Sequence, residues 1–143
     1  MQRGKYVIPF SQLRMTDVDS VGGKNASLGE MLSQLTDAGV RVPDGFATTA
    51  EAFRLFLEHG NLKERIAQRL AKLNVEDVRA LTAAGEDIRG WIADASFAPA
   101  FQTEIKSIFQ QLEAEDSSEI SFAVRSSATA EDLPDASFAG LRW

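Results

Sequence analysis

The stretch SFAVRSSATAEDLPDASFAG, residues 121–140, decides how the chain is read. Ile120, Phe122 and Val124 alternate with Ser121, Ala123 and Arg125, the period-two pattern of a strand with one apolar face. The strand is expected to end on Arg125, on the face opposite Phe122 and Val124. A run of small and acidic residues follows, with hydroxyls at Ser126, Ser127 and Thr129 and acids at Glu131, Asp132 and Asp135. An arginine in that place can make a forked pair of hydrogen bonds to phosphate or carboxylate oxygens. Small neighbours let backbone amides come close to such a ligand. The same residues suit a polar surface loop with a structural salt bridge, and chemistry alone leaves both readings open.

A second segment, VGGKNASLGEM at 21–31, places Lys24 behind two glycines at the mouth of a helix. The nucleotide-binding phosphate loop needs an earlier glycine and a Ser or Thr after the lysine. Val18 and Asn25 stand at those positions, so the motif does not match. What remains is physical. Gly22 and Gly23 permit close backbone approach, a helix start directs unpaired N–H groups forward, and Lys24 adds a full charge there. That combination is a plausible anion site. A glycine turn beside a solvated lysine is the competing reading.

Outward from these segments the pattern is mostly helical. YVIPF (6–10) reads as a short strand that Pro9 restricts to an edge. Leu28, Met31, Leu32 and Leu35 share one helical face, with Ser27 and Glu30 as a capping box and Gly39 as the stop. VPDGFATT (42–49) gives a turn and an extended piece. Thr48 and Glu51 suggest a second capping box, opening a helix with Phe53, Phe56 and Leu57 inward. A further helix starts at Asn61 and buries Leu62, Ile66 and Leu70. Residues 75–93 are expected to be helical, with Val78, Leu81, Ile88, Trp91 and Ile92 facing the core and Gly85 weakening the middle. Residues 97–113 carry Phe97, Phe101, Ile105, Ile108, Phe109 and Leu112 at helical spacing, a stripe read as core, and 113–119 as a connector.

The bulk properties exclude several classes. A chain of 143 residues, 44% hydrophobic and 25% charged, fits a soluble globular protein with one core. A net charge of −6 argues against a broad nucleic-acid surface. No segment suits a membrane span, and the first ten residues lack the pattern of a secretory signal. With no cysteine there is no disulfide framework, and a reducing, cytoplasmic location is the simplest expectation. The single histidine, His59, reads as a helix-end residue rather than a metal ligand.

Together, MTDVDSVGGKNASLGEM (15–31), VPDGFATTAEAF (42–53) and FAVRSSATAEDLPDASFAG (122–140) resemble the N-terminal part of the phosphoenolpyruvate synthase (pyruvate, water dikinase) family. Pyruvate phosphate dikinase and rifampin phosphotransferase carry looser versions of both central segments. The resemblance spans about Gln12 to Gly140. It implies an α+β fold, the helix-rich first portion of an ATP-grasp nucleotide-binding domain with a few short strands, residues 1–143 forming a partial N-terminal domain.

The resemblance also implies that Lys24 contacts ATP and Arg125 its phosphates. The loop from Ser126 to Gly140, including Ser126, Ser127 and Thr129, is expected to close over them. The family reaction converts ATP, pyruvate and water to AMP, phosphoenolpyruvate and phosphate with Mg2+, through a phosphohistidine. His59 does not match the carrier motif, the metal ligands are expected outside this chain, and pyruvate is reached only through a C-terminal domain. No residue here is expected to be catalytic, and the 143-residue chain alone is expected to be inactive. After SFAG the family continues with glutamines and an acid where this sequence reads LRW, which suggests a truncated product, a shifted reading frame or an artificial boundary. Two other functions compete: a stand-alone nucleotide- or anion-binding module, and a degenerate helical interaction protein.

Overall fold

The computed structural model describes residues 3–40, 42–115 and 121–129. Its elements are β1 (Val7–Pro9), α1 (Val18–Val21), α2 (Gly23–Asp37), β2 (Phe46–Thr48), α3 (Ala50–His59), α4 (Leu62–Ala71), α5 (Val78–Asp94) and α6 (Pro99–Glu115). Short 3-10 turns at Phe10–Gln12 and Met15–Asp17 connect β1 to α1. The described residues are thus α+β and helix-rich, with one two-stranded sheet. They fall into two compact units, one drawn from residues 1–52 and 100–143 and the other from 53–99.

In the first unit β1 and β2 pair antiparallel, Val7 opposite Thr48, Ile8 opposite Ala47 and Pro9 opposite Phe46. Both strands of such a sheet are edges, so Pro9 is tolerated as expected. Ile8, Leu13, Val21, Ala26 and Ala47 form the core cluster, with Phe10 and Val18 packed on it. The N–H groups at the start of β1 are satisfied from α6: Tyr6 N, just before the strand, and Val7 N, its first residue, donate to Glu104 Oε2 at 2.8 and 2.9 Å. Phe101, Ile108 and Leu112 of that helix are buried, as the stripe predicts, whereas Phe109 lies partly exposed and stacks on Phe122, ring centroids 5.1 Å apart.

Helix α2 departs from its sequence reading in two respects. It begins at Gly23, four residues ahead of Ser27, so the Ser27–Glu30 capping box does not form. Glu30 instead accepts from Met15 N at 3.2 Å and from Gln34 Nε2 at 2.8 Å. Its buried face is Gly23, Ala26 and Gly29, while Met31 is exposed and Leu28, Leu32 and Leu35 are only half-buried. The reason is close packing. A Cβ at Gly29 would collide with Leu13 Cβ and stand 2.7 Å from its carbonyl oxygen, so only a glycine lets the helix seat against the fully buried Leu13. The helix stops where expected: Gly39 N donates to Thr36 O at 3.0 Å and Val40 N to Leu35 O at 2.9 Å, with Gly39 at φ +77°.

The cap of α3 is one residue later than expected. Thr49 Oγ1, not Thr48, accepts from Ala52 N at 3.1 Å, and also donates to Lys5 O at 3.0 Å. Glu51 pairs with Lys5 at 3.0 Å. That pairing raises the lysine pKa above its ordinary value, by its hydrogen bond first and its charge second.

In the second unit Phe56 meets Phe97 at 5.5 Å while Phe53 is exposed, against the expectation that it points inward. Helix α4 follows Asn61 and fully buries Leu62, but leaves Leu70 exposed. Helix α5 starts later than the periodicity suggests because Asp77 caps it, its Oδ1 accepting from Arg79 N at 3.0 Å and Ala80 N at 3.1 Å. Val78, Leu81 and Ile92 are exposed and Ala84 is the buried residue. Within this unit α5 packs mainly on α4, which covers one stripe and leaves Val78, Leu81 and Ile92 exposed. Arg65 lies over the Trp91 ring at 4.3 Å and Arg69 pairs with Asp87 at 2.9 Å across that seam.

Gly85 sits inside α5, where a Cβ would meet only the mobile end of Arg89, 3.1 Å from Nη1. Gly85→Ala is therefore expected to stabilise the chain by about 0.5–1 kcal/mol, the helix propensity gain. Urea unfolding of the two proteins checks it, and a loss of stability would mean the Arg89 head is held in place.

Candidate functional site

The site is built on the break between α1 and α2. Gly22 N closes α1 by donating to Val18 O at 2.8 Å, and Gly22 O opens α2 by accepting from Ala26 N at 3.1 Å. Between the two helices Gly22 takes φ 82°, ψ 160°, a conformation essentially restricted to glycine. Lys24 lies in the first turn of α2 and is exposed. The turn before α1 is held by Asp17, which bonds Arg3 Nη2 at 2.6 Å and Arg14 N at 2.9 Å. Arg3 chiefly holds the Asp17 carboxyl below the ordinary range, against the opposing effect of burial.

The 121–129 segment comes to this break from far along the chain. Ser127 Oγ donates to Val21 O at 2.9 Å, and Asn25 N donates to Ser127 Oγ at 3.4 Å, contacts spanning 106 and 102 residues. Asn25 Nδ2 also donates to Val21 O at 2.9 Å. The approach is so close that a Cβ on Gly22 would collide with Ser127 Oγ and lie 2.8 Å from Ala128 O. The two segments singled out in the sequence therefore meet, through Ser127.

The expected strand does not form. Residues 121–129 belong to no sheet, Val124 is 95% exposed, and Phe122 is used against Phe109. Ile120 lies outside the described residues, as do residues 130–143 with the rest of the predicted loop. Alternation reports which side chains share a face, but a strand also needs a neighbouring ladder, and none of the described residues supplies one.

Arg125, Ser126 and Thr129 are exposed and Ser127 is half-buried. Arg125 stands two residues before the Ser127 anchor and Lys24 one residue before Asn25, so the backbone carrying each cation is tied to the same contact. Gly22 and Asn25 were not singled out as partners of the later segment. The cue was present in Gly22 beside Gly23, since adjacent glycines permit close backbone approach.

A separate concavity of about 270 Å³, lined by Arg3, Gly4, Thr103, Glu104 and Gln111 among others, contains none of these residues. Among the described residues no three His, Cys, Asp or Glu side chains are grouped as metal ligands, so no metal position is assigned to them.

A lysine at a helix start, joined by close packing to a segment carrying an arginine and hydroxyls, is the kind of surface that receives a polyanion. Residues 18–142 match the family described as pyruvate phosphate dikinase, AMP/ATP-binding domain, and the chain belongs to that family. Over 136 residues it is 62% identical to the phosphoenolpyruvate synthase of Neisseria meningitidis serogroup B, an alignment covering 94% of this chain and 17% of that protein. The phosphoenolpyruvate synthases of Escherichia coli K12 and Pseudomonas aeruginosa are each 54% identical, over 134 and 136 residues, covering 94% and 95% of this chain. The chain spans about 17% of the length of these relatives.

Proposed function

We propose that this chain is part of the ATP-binding portion of a phosphoenolpyruvate-forming phosphotransferase, with Lys24 and Arg125 facing one shared cleft on the ATP phosphates. The observation that carries the reading is the Ser127 contact, which joins the backbone bearing Arg125 to the turn bearing Lys24. In this reading the domain is an ATP-grasp domain, and Ser126 and Thr129 lie alongside the phosphates. The reaction converts ATP, pyruvate and water to AMP, phosphoenolpyruvate and phosphate in the cytoplasm. Magnesium and pyruvate are held by residues outside this chain, and a histidine beyond it carries the phosphoryl group. Phosphoryl transfer depends on positioning and charge neutralisation, and two cations supply only part of that.

The test is made in the complete protein. Lys24→Ala or Arg125→Ala is expected to slow phosphorylation of the carrier histidine by ATP. Each change removes a charge-assisted bond of about 1.5–3 kcal/mol, or about one to two decades in rate. Arg125→Lys is expected to fall short of rescue, because lysine keeps the charge and loses the planar fork. Transfer between phosphoenolpyruvate and the histidine is expected to survive. Equal loss in both half-reactions, followed with labelled phosphate from each side, would remove both residues from the ATP site.

A further inference from the structure

We propose that Ser127 is a positioning residue that fixes the Lys24 turn, rather than a ligand of the phosphates; this rests on the reading of Lys24 as an ATP contact. A hydroxyl has one proton to donate and two lone pairs. The Ser127 proton is committed to Val21 O at 2.9 Å, and one lone pair faces Asn25 N at 3.4 Å. What is left on the oxygen is an acceptor, which repels a phosphate oxygen instead of binding it. The hydroxyl is also half-buried against Gly22, whereas Ser126, Ala128 and Thr129 are exposed.

The groups it satisfies are backbone groups at two helix ends. Val21 closes α1, and Asn25 N is the third N–H of α2, which an N-cap side chain ordinarily serves. Gly22 occupies the cap position and has no side chain to offer. Ser127 therefore supplies the cap from 102 residues away. Asn25 completes the arrangement by donating its side-chain amide to the same Val21 carbonyl. Lys24 lies between Gly22 and Asn25, and Arg125 two residues before Ser127. One hydroxyl thus sets the relation between the backbone segments that carry the two cations.

In the complete protein, Ser127→Ala is expected to lower kcat/KM for phosphorylation by ATP about tenfold and to leave the phosphoenolpyruvate half-reaction unchanged. In a Lys24→Ala, Arg125→Ala background the same change is expected to cost less than about twofold, because its effect runs through those two cations. A further tenfold loss there would make Ser127 a direct ligand and overturn the proposal. Equal losses in both half-reactions would overturn it too, as a general folding role. Hydrogen exchange at the Asn25 amide tests the contact without ATP: Ser127→Ala should accelerate it, and unchanged protection refutes the assignment. A Lys24→Ala protein that keeps its full ATP half-reaction would instead remove the ATP-site reading, and the exchange result then decides whether Ser127 holds the turn.

Discussion

Replacing Gly22 with alanine is expected to cost about 3–4 kcal/mol of stability and to separate the 127–128 segment from the α1–α2 break, combining a glycine-only backbone with an overfilled contact. Two independent effects add. The backbone at φ 82°, ψ 160° lies in a region that a Cβ penalises, by about 1–3 kcal/mol. The new methyl would also occupy the place of Ser127 Oγ and press on the Ala128 carbonyl at 2.8 Å. Gly39 is the control. It has a similar φ of +77° with nothing near a Cβ, so Gly39→Ala should show backbone strain alone, about 1–2 kcal/mol. Urea midpoints of the two variants measure the difference, and Asn25 amide exchange reports whether Ser127 has left. Equal destabilisation by both would show that the close approach at Gly22 contributes nothing.

The second large effect is expected at Gly29. Gly29→Val should destabilise the chain by about 3 kcal/mol, the upper part of the range for overfilled cores. Isolated helix propensity points the other way, since glycine is the poorer helix former. Packing wins because the obstacle is Leu13 itself, its Cβ, its carbonyl carbon at 2.9 Å and its oxygen at 2.7 Å, and backbone cannot swing aside. Leu13 is fully buried, so α2 cannot move off it without opening the core cluster of Ile8, Leu13, Val21, Ala26 and Ala47. Unfolding of this variant beside Gly85→Ala gives opposite signs for two glycines that are both inside helices. Two stabilising results would mean α2 does not seat on Leu13.

The site was partly legible. The glycine pair, Lys24 and Arg125 stood out by residue type, and the family match over residues 18–142 agrees with the resemblance that those segments carry. The contacts of Ser127 were not legible, because a serine next to an arginine looks the same whether its hydroxyl faces a ligand or a helix end. Only the tertiary structure shows that this hydroxyl bonds Val21 O and Asn25 N.

What the sequence determined alone was local. Helical periodicity and backbone chemistry placed α4, α5 and α6 to within a few residues, the strand at Val7–Pro9, and the stop at Gly39, because each depends on neighbours within a turn or two. What only the tertiary structure decided was which face of each element is covered and by what. The leucines of α2 share a face, yet Gly23, Ala26 and Gly29 are buried, since Leu13 approaches closely enough to exclude larger residues. Residues 121–125 alternate like a strand, yet no ladder pairs with them among the described residues. Periodicity records which side chains point together; the partner that covers them, 16 residues away for Gly29 and 102 for Asn25, is a matter of packing between distant parts of the chain.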